Sequence, residues 1–146
     1  MSGPNILLVD DSKFDRKMLR RALDRSEIEV GRVDEAEHAF DAVDRINETL
    51  YDAVFLDINM PGVTGFAFLR ALRAAYPGTW PMVFMLSSST HLGDVETAFA
   101  EHANGYFVKP ENLTRLQAVV EAVLTTATGT PTRPGIAADR RKVTLQ

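Results

Sequence analysis

Five short apolar runs, each followed by a helical stripe, constrain this chain more than any other feature. "NILLVDD" (5–11), "IEVGRV" (28–33, the weakest), "AVFLD" (53–57), "PMVFMLS" (81–87) and "GYFV" (105–108) read as strands. They are too short and too apolar for a half-exposed antiparallel sheet. Phe14, Met18, Leu19, Ala22 and Leu23 recur at helical spacing, with Lys13, Arg16, Lys17, Arg20 and Arg21 mostly opposite. Ala36, Ala39, Phe40, Val43 and Ile46 give a second helix. A third runs from Gly65 to Tyr76, carries Phe66, Phe68, Leu69 and Leu72, and stops before Pro77. Residues 92–102 form a less apolar helix, and Leu113, Leu116, Val120, Val123 and Leu124 stripe a fifth. Strand and helix alternate throughout, which predicts an α/β fold with a parallel sheet covered on both faces.

The 146 residues, 45 % of them hydrophobic, suit one domain with a core that needs no staples. Past Thr125 the chain turns rich in Thr, Gly and Pro and loses its apolar period. A domain over 1–127 and a flexible tail over 128–146 are expected, with Arg140, Arg141 and Lys142 a solvated terminus. No cysteine is present, which excludes disulfides and thiolate metal sites. The formal net charge of -4 opposes general nucleic-acid affinity. No apolar stretch approaches the roughly eighteen residues of a membrane span, and the N-terminal apolar run has no basic residue before it. A cytoplasmic protein with neither nucleic acid nor membrane as partner is expected.

The polar residues fall at strand ends. In open parallel sheets, sites form outside the carboxyl ends of the strands. The first strand ends in Asp10 and Asp11, the third in Asp57, the fourth in Ser87, the fifth in Lys109. Each has an ordinary alternative. Asp11 or Ser12 can cap a helix, Ser89 or Thr90 can cap the fourth, and Lys109 can be a solvent lysine. Those alternatives do not explain why the charges gather at one edge. Carboxylates packed together repel unless a cation intervenes, and Mg²⁺ takes oxygen ligands and pairs with phosphate. Asp10, Asp11, Asp57 and a backbone carbonyl just past Asp57 can hold it. Lys109 and the Ser87 hydroxyl can then meet phosphoryl oxygens, with Asp57 as carboxylate nucleophile. His38, His91 and His102 lie in separate helical regions and are expected to be surface or packing residues.

With those residues in view, the chain resembles the receiver domain of two-component response regulators over roughly 4–125. "ILLVDDS" resembles the family's first strand and acidic pair, and "FLDINMPGVTG" its phosphoacceptor segment. "MLSS" resembles the switch-hydroxyl position, and "GYFVKP" the strand with aromatic switch, lysine and proline. The resemblance implies a flavodoxin-like (βα)5 sheet of order 2-1-3-4-5. It implies that Asp57 accepts a phosphoryl group from a histidine kinase or histidine phosphotransfer protein. It implies Mg²⁺ on Asp11, Asp57 and the Asn59 backbone carbonyl, with Asp10 reaching it through water. Ser87 and Lys109 would hold phosphoryl oxygens, Tyr106 would swing inward after Ser87, and Lys109–Pro110 would be cis. Output would run through protein contacts on the fourth helix, fifth strand and fifth helix, to a downstream target or a homodimer, not through separate enzyme activity.

The chain departs from the family pattern at Ser87, where threonine is commoner, at Ser88 for alanine, and at Glu111 for an apolar residue. Two rivals stand. A Mg²⁺-dependent aspartate phosphatase would want a second aspartate where Asn59 sits, and Asn59 cannot do acid–base work. An interaction scaffold that is never phosphorylated would not need the acidic set.

Overall fold

The computed structural model describes residues 3–129 and 141–145. Ten elements alternate: β1 (Ile6–Val9), α1 (Lys13–Asp24), β2 (Val33–Ala36), α2 (Ala39–Glu48), β3 (Ala53–Leu56), α3 (Gly65–Ala75), β4 (Met82–Ser87), α4 (Leu92–Ala100), β5 (Gly105–Val108) and α5 (Leu113–Gly129). The strands form one parallel sheet of order β2-β1-β3-β4-β5. This is the flavodoxin-like arrangement.

Alternate residues of each central strand feed two separate apolar layers, as the pleat requires. Leu7, Val9, Val54, Leu56, Val83 and Met85 pack with Ala42 and Ile46 of α2, Phe68, Leu69 and Leu72 of α3, and Ala98 of α4. Ile6, Leu8, Ala53, Phe55, Phe84 and Leu86 pack with Leu19, Ala22 and Leu23 of α1 and Leu116, Val120 and Val123 of α5. Strands apolar on both faces must lie between two helical layers, and that sandwich brings every strand's carboxyl end to one edge. Each fully buried Leu or Phe here contributes roughly 1.5–3 kcal/mol.

Four expectations need correction. The second strand is β2 at 33–36, starting where "IEVGRV" ends. Among the described residues β2 is an edge strand paired only with β1, and its Asp34 and Glu35 take side-chain partners there, Tyr51 and Arg32 for the first and Arg16 and Arg20 for the second, which leaves it without an apolar signature. Phe14 and Phe40 are exposed, each in the first turn of its helix. Arg16, by contrast, is buried, because its guanidinium donates to the Asp10 carbonyl at 2.7 Å and to Glu35 at 2.8 Å. The cis X–Pro bond is Trp80–Pro81; Lys109–Pro110 is trans.

The fourth correction concerns the tail. The last helix continues to Gly129, and residues 141–145 are not free. Val143 is fully buried in the α2–α3 layer, and Leu145 packs against it. The Asn47 side-chain amide donates to the Val143 carbonyl at 2.9 Å and accepts from its N–H at 2.8 Å. A sequence with one apolar residue in every two, over five residues, is too short to announce a buried segment. Arg140 and residues 130–139 lie outside the described residues.

Candidate functional site

Each site residue is placed by a strand end or by the turn after it. Asp57 follows β3 directly, and its N–H donates to the Val9 carbonyl at 2.9 Å, continuing the sheet by one residue. The turn that follows folds back tightly. Gly65 N–H donates to the Ile58 carbonyl at 2.9 Å, and a Cβ on Gly65 would stand 2.1 Å from the Asp57 carbonyl oxygen. Only glycine allows α3 to start against the backbone of Asp57. Lys109 is fixed in the same way from β5: its N–H donates to the Ser87 carbonyl at 2.8 Å. That ladder bond aims the lysine, whose flexible stem reaches the carboxylates with a trans bond to Pro110.

The carboxylates converge. Ligand oxygens of Asp10, Asp11 and Asp57 all lie within 4.8 Å of one another, with Asp10 and Asp57 buried and Asp11 exposed. Lys109 Nζ stands 2.8 Å from Asp10 Oδ2, 2.8 Å from Asp15 Oδ2 and 3.4 Å from Asp57 Oδ2. Asp10 Oδ1 also accepts from the Ser12 N–H at 2.9 Å. Burial pushes the Asp10 and Asp57 carboxyls up, against the pull of Lys109. Burial opposes the Lys109 charge, yet the hydrogen bonds it donates to Asp10 and Asp15 outweigh that and hold the lysine above its ordinary range. Three carboxylates thus meet one ammonium, with Asp11 beside them, and the remaining negative charge calls for a cation. The all-oxygen donor set suits a hard divalent ion. Asp57 Oδ1 is buried and has no hydrogen-bond partner among the described residues, a costly state that an ion or an incoming group would relieve.

The Asn59 backbone N–H, close to the Asp57 carboxylate, tempers its raised pKa. Ser87 is fully buried, and its hydroxyl oxygen accepts from the Ser89 N–H at 3.3 Å. Tyr106 is half-buried and donates its hydroxyl to the Ser89 carbonyl at 2.9 Å. One residue, Ser89, therefore links the buried hydroxyl to the ring. Ser12 caps α1 by accepting from Asp15 N–H, which leaves Asp11 to the site. His91, not Ser89 or Thr90, is the N-cap residue of α4 and makes no side-chain cap bond; the Ser89 hydroxyl instead donates to Asp94. His38 caps α2 through its Nδ1, accepting from Asp41 N–H.

Asp15 is the site residue that sequence reasoning missed. Its position, three residues after the Ser12 cap, marks it as a first-turn acid that favours the helix dipole. Nothing local ties it to a lysine 94 residues away.

A five-stranded parallel sheet of this order, with carboxylates and a lysine at its carboxyl edge, is a receiver-type α/β domain. The chain matches the response regulator receiver domain model over residues 6–121 and belongs to that family. It is 34 % identical over 116 residues to the chemotaxis protein CheY of Listeria monocytogenes, covering 80 % of this chain and 94 % of that protein. It is 35 % identical over 123 residues to the transcriptional regulatory protein TcrA of Mycobacterium tuberculosis, covering 84 % of this chain but 47 % of that protein. The chain thus spans about half the length of several curated relatives it matches, an uncharacterized response regulatory protein of Vibrio cholerae among them at 47 %. Among solved structures, the phosphorylated cyanobacterial phytochrome response regulator RcpA superposes with a TM-score of 0.78 at 26 % identity, over 92 % of this chain and 100 % of that one. CheY4 of Vibrio cholerae superposes at 0.73 and 28 % identity, over 84 % and 100 %.

Receiver domains bind Mg²⁺ at an acidic aspartate cluster, and Asp10, Asp11 and Asp57 form such a group. CheY-like receivers act by contact with histidine kinases and downstream targets. Among the described residues, no helix is long and apolar enough to cross a membrane.

Proposed function

We propose that Asp57 accepts a phosphoryl group from a histidine kinase or a histidine phosphotransfer protein, and that the chain then signals by protein contact. The observation that carries this is the pairing of a buried Asp57 Oδ1, without a hydrogen-bond partner among the described residues, with a lysine ammonium on the other oxygen of the same carboxylate. The free oxygen attacks phosphorus, the P–N bond of the phosphohistidine breaks, and its electron pair returns to the imidazole. Asp10, Asp11 and Asp57, with the Asn59 carbonyl, would hold Mg²⁺, which when bound neutralises phosphoryl oxygens. Lys109 moves its ammonium from the carboxylates toward another phosphoryl oxygen. The Ser87 hydroxyl is drawn to a third, at the cost of its bond with Ser89 N–H.

That last movement supports the choice of output surface. Losing the bond to Ser87 loosens Ser89, whose carbonyl holds the Tyr106 hydroxyl. The ring can then move inward, a two-state element biased by a local charge. Leu92, Phe99 and Val108 are exposed on α4 and β5, beside this switch, and give a partner apolar surface to bury. The protein works in the cytoplasm under this reading.

The test is intact-mass measurement after incubation with acetyl phosphate and Mg²⁺. One added phosphoryl group is expected on the chain and none on Asp57→Asn. Label that persists on Asp57→Asn moves the acceptor elsewhere, and no label with any phosphodonor favours the unphosphorylated scaffold.

A further inference from the structure

The α2–α3 face carries a groove that the phosphoryl site does not use, and the chain's own end lies in it. Arg141 and Lys142 are exposed, Val143 is buried, Thr144 is exposed and Leu145 is half-buried. From Lys142 onward, out-in-out-in is the pattern of an extended segment against a surface. The polar contacts read its backbone. Asn47, on the last turn of α2, donates to the Val143 carbonyl at 2.9 Å and accepts from its N–H at 2.8 Å. Tyr76, just past α3, accepts from the Arg141 N–H at 2.8 Å and donates to its carbonyl at 3.0 Å. Two side chains thus satisfy both backbone groups of alternate residues, as a neighbouring strand would. The wall is built to let the segment come close: Ala67, Ala71, Ala74 and Ala75 line α3 there, with Arg70 at the rim.

We propose that this face is a peptide-binding groove, and that residues 141–145 are its tethered ligand. The groove selects an extended peptide with apolar residues two apart, the first of them small enough for the fully buried Val143 pocket. Backbone hydrogen bonds supply sequence-tolerant affinity and the two apolar pockets supply selectivity. Eleven residues, 130–140, separate the ligand from the end of α5. A link of that length gives a local concentration on the order of millimolar, so the segment excludes any free peptide present at lower concentration. The segment ties the end of the chain, which leaves α5 on one face of the sheet, to the helices on the other.

Amide hydrogen exchange by NMR on the full chain gives a first test. The Val143 N–H is expected to exchange at least about a hundredfold more slowly than in an unstructured peptide, and to lose that protection in Asn47→Ala. Exchange of Val143 at the unstructured rate in the unaltered chain overturns the proposal. Protection that appears only as protein concentration rises assigns the ligand to a second copy and overturns the tethered form. The second test adds a synthetic peptide of residues 140–146 to labelled full-length Val143→Asp, in which the ligand can no longer seat. Shifts of the Asn47 side-chain amide and of Ala67, Ala71 and Ala75 are expected there, and none in the unaltered chain at the same peptide concentration. No shifts in a folded Val143→Asp chain, or equal shifts in both proteins, refute the groove. If Val143→Asp does not fold, Val143→Gly empties the same pocket without burying a charge.

Discussion

Replacing Lys109 by methionine keeps the apolar stem and removes the ammonium from the three carboxylates it touches. Asp10 and Asp57 are only 2 % and 5 % exposed, so neither can turn to water for compensation. Left charged and unpaired, a buried partner of this kind costs roughly 3–5 kcal/mol. The site has a second option, which is to take up one proton shared between the two neighbouring carboxylates. At about pH 7, protonating a carboxyl of ordinary pKa about 3.9 costs ~4 kcal/mol, and at about pH 5 only ~1.5 kcal/mol. The chain takes the cheaper route, so those figures are the ceilings. The sign follows from linkage. Removing the lysine raises the folded-state carboxyl pKa further above its unfolded value. The stability this proton supplies is fully present below the unfolded pKa and is lost as pH rises through the folded one. Urea unfolding in EDTA should therefore show Lys109→Met destabilised by at most ~4 kcal/mol near pH 7 and at most ~1.5 kcal/mol near pH 5. Mg²⁺ should restore part of the loss near pH 7, because a bound cation replaces the missing charge. A penalty that is the same at both pH values, or below about 1 kcal/mol at the higher one, would refute the claim that Lys109 compensates buried carboxylates.

Gly65→Ala puts a Cβ where only 2.1 Å separates it from the Asp57 carbonyl. It should cost about 1–3 kcal/mol in denaturant midpoint and slow labelling of Asp57, whereas Gly93→Ala, with open space around its Cβ position and an ordinary helical backbone, should leave labelling unchanged. The Glu35 carboxyl is held below its usual range: burial raises it, but Arg20 and Arg16 lower it more. Its stabilisation is present above the unfolded pKa and lost as pH falls through the folded one. Glu35→Gln should flatten the acid limb of the stability curve below about pH 4.5, and an unchanged limb would remove Glu35 from the account. Asp15→Asn should change stability by less than about 1 kcal/mol, since Asp15 is partly exposed, yet speed acetyl phosphate labelling by releasing Lys109. Equal labelling rates would show that Asp15 does not restrain the lysine.

Composition and periodicity determined the layers. Runs such as "AVFL" and "MVFML" are apolar at every residue, so they had to lie between two helical faces, and their carboxyl ends had to share an edge. The acids and lysine at those ends were legible for the same reason: a charge that terminates a buried run has one direction to go. Local pattern also gave the Ser12 cap. The strand order came through the family resemblance, not through periodicity.

What only the tertiary structure decided are matters of long range or of edges. β2 was misplaced because an edge strand with one open side needs no apolar run, while the loop before it had one. The burial of Arg16 and Arg73 depends on carbonyls brought from elsewhere. Arg73 donates to Pro81 and His102 carbonyls, and desolvation lowers its pKa to about 10. A helical wheel places such arginines in water because it knows nothing of those partners. Asp15 meets Lys109 across 94 residues, and Val143 meets Asn47 across 96. Sequence spacing carries no record of either, because the sheet order chooses which loops converge, and only the folded α2–α3 face offers Val143 a place to be buried.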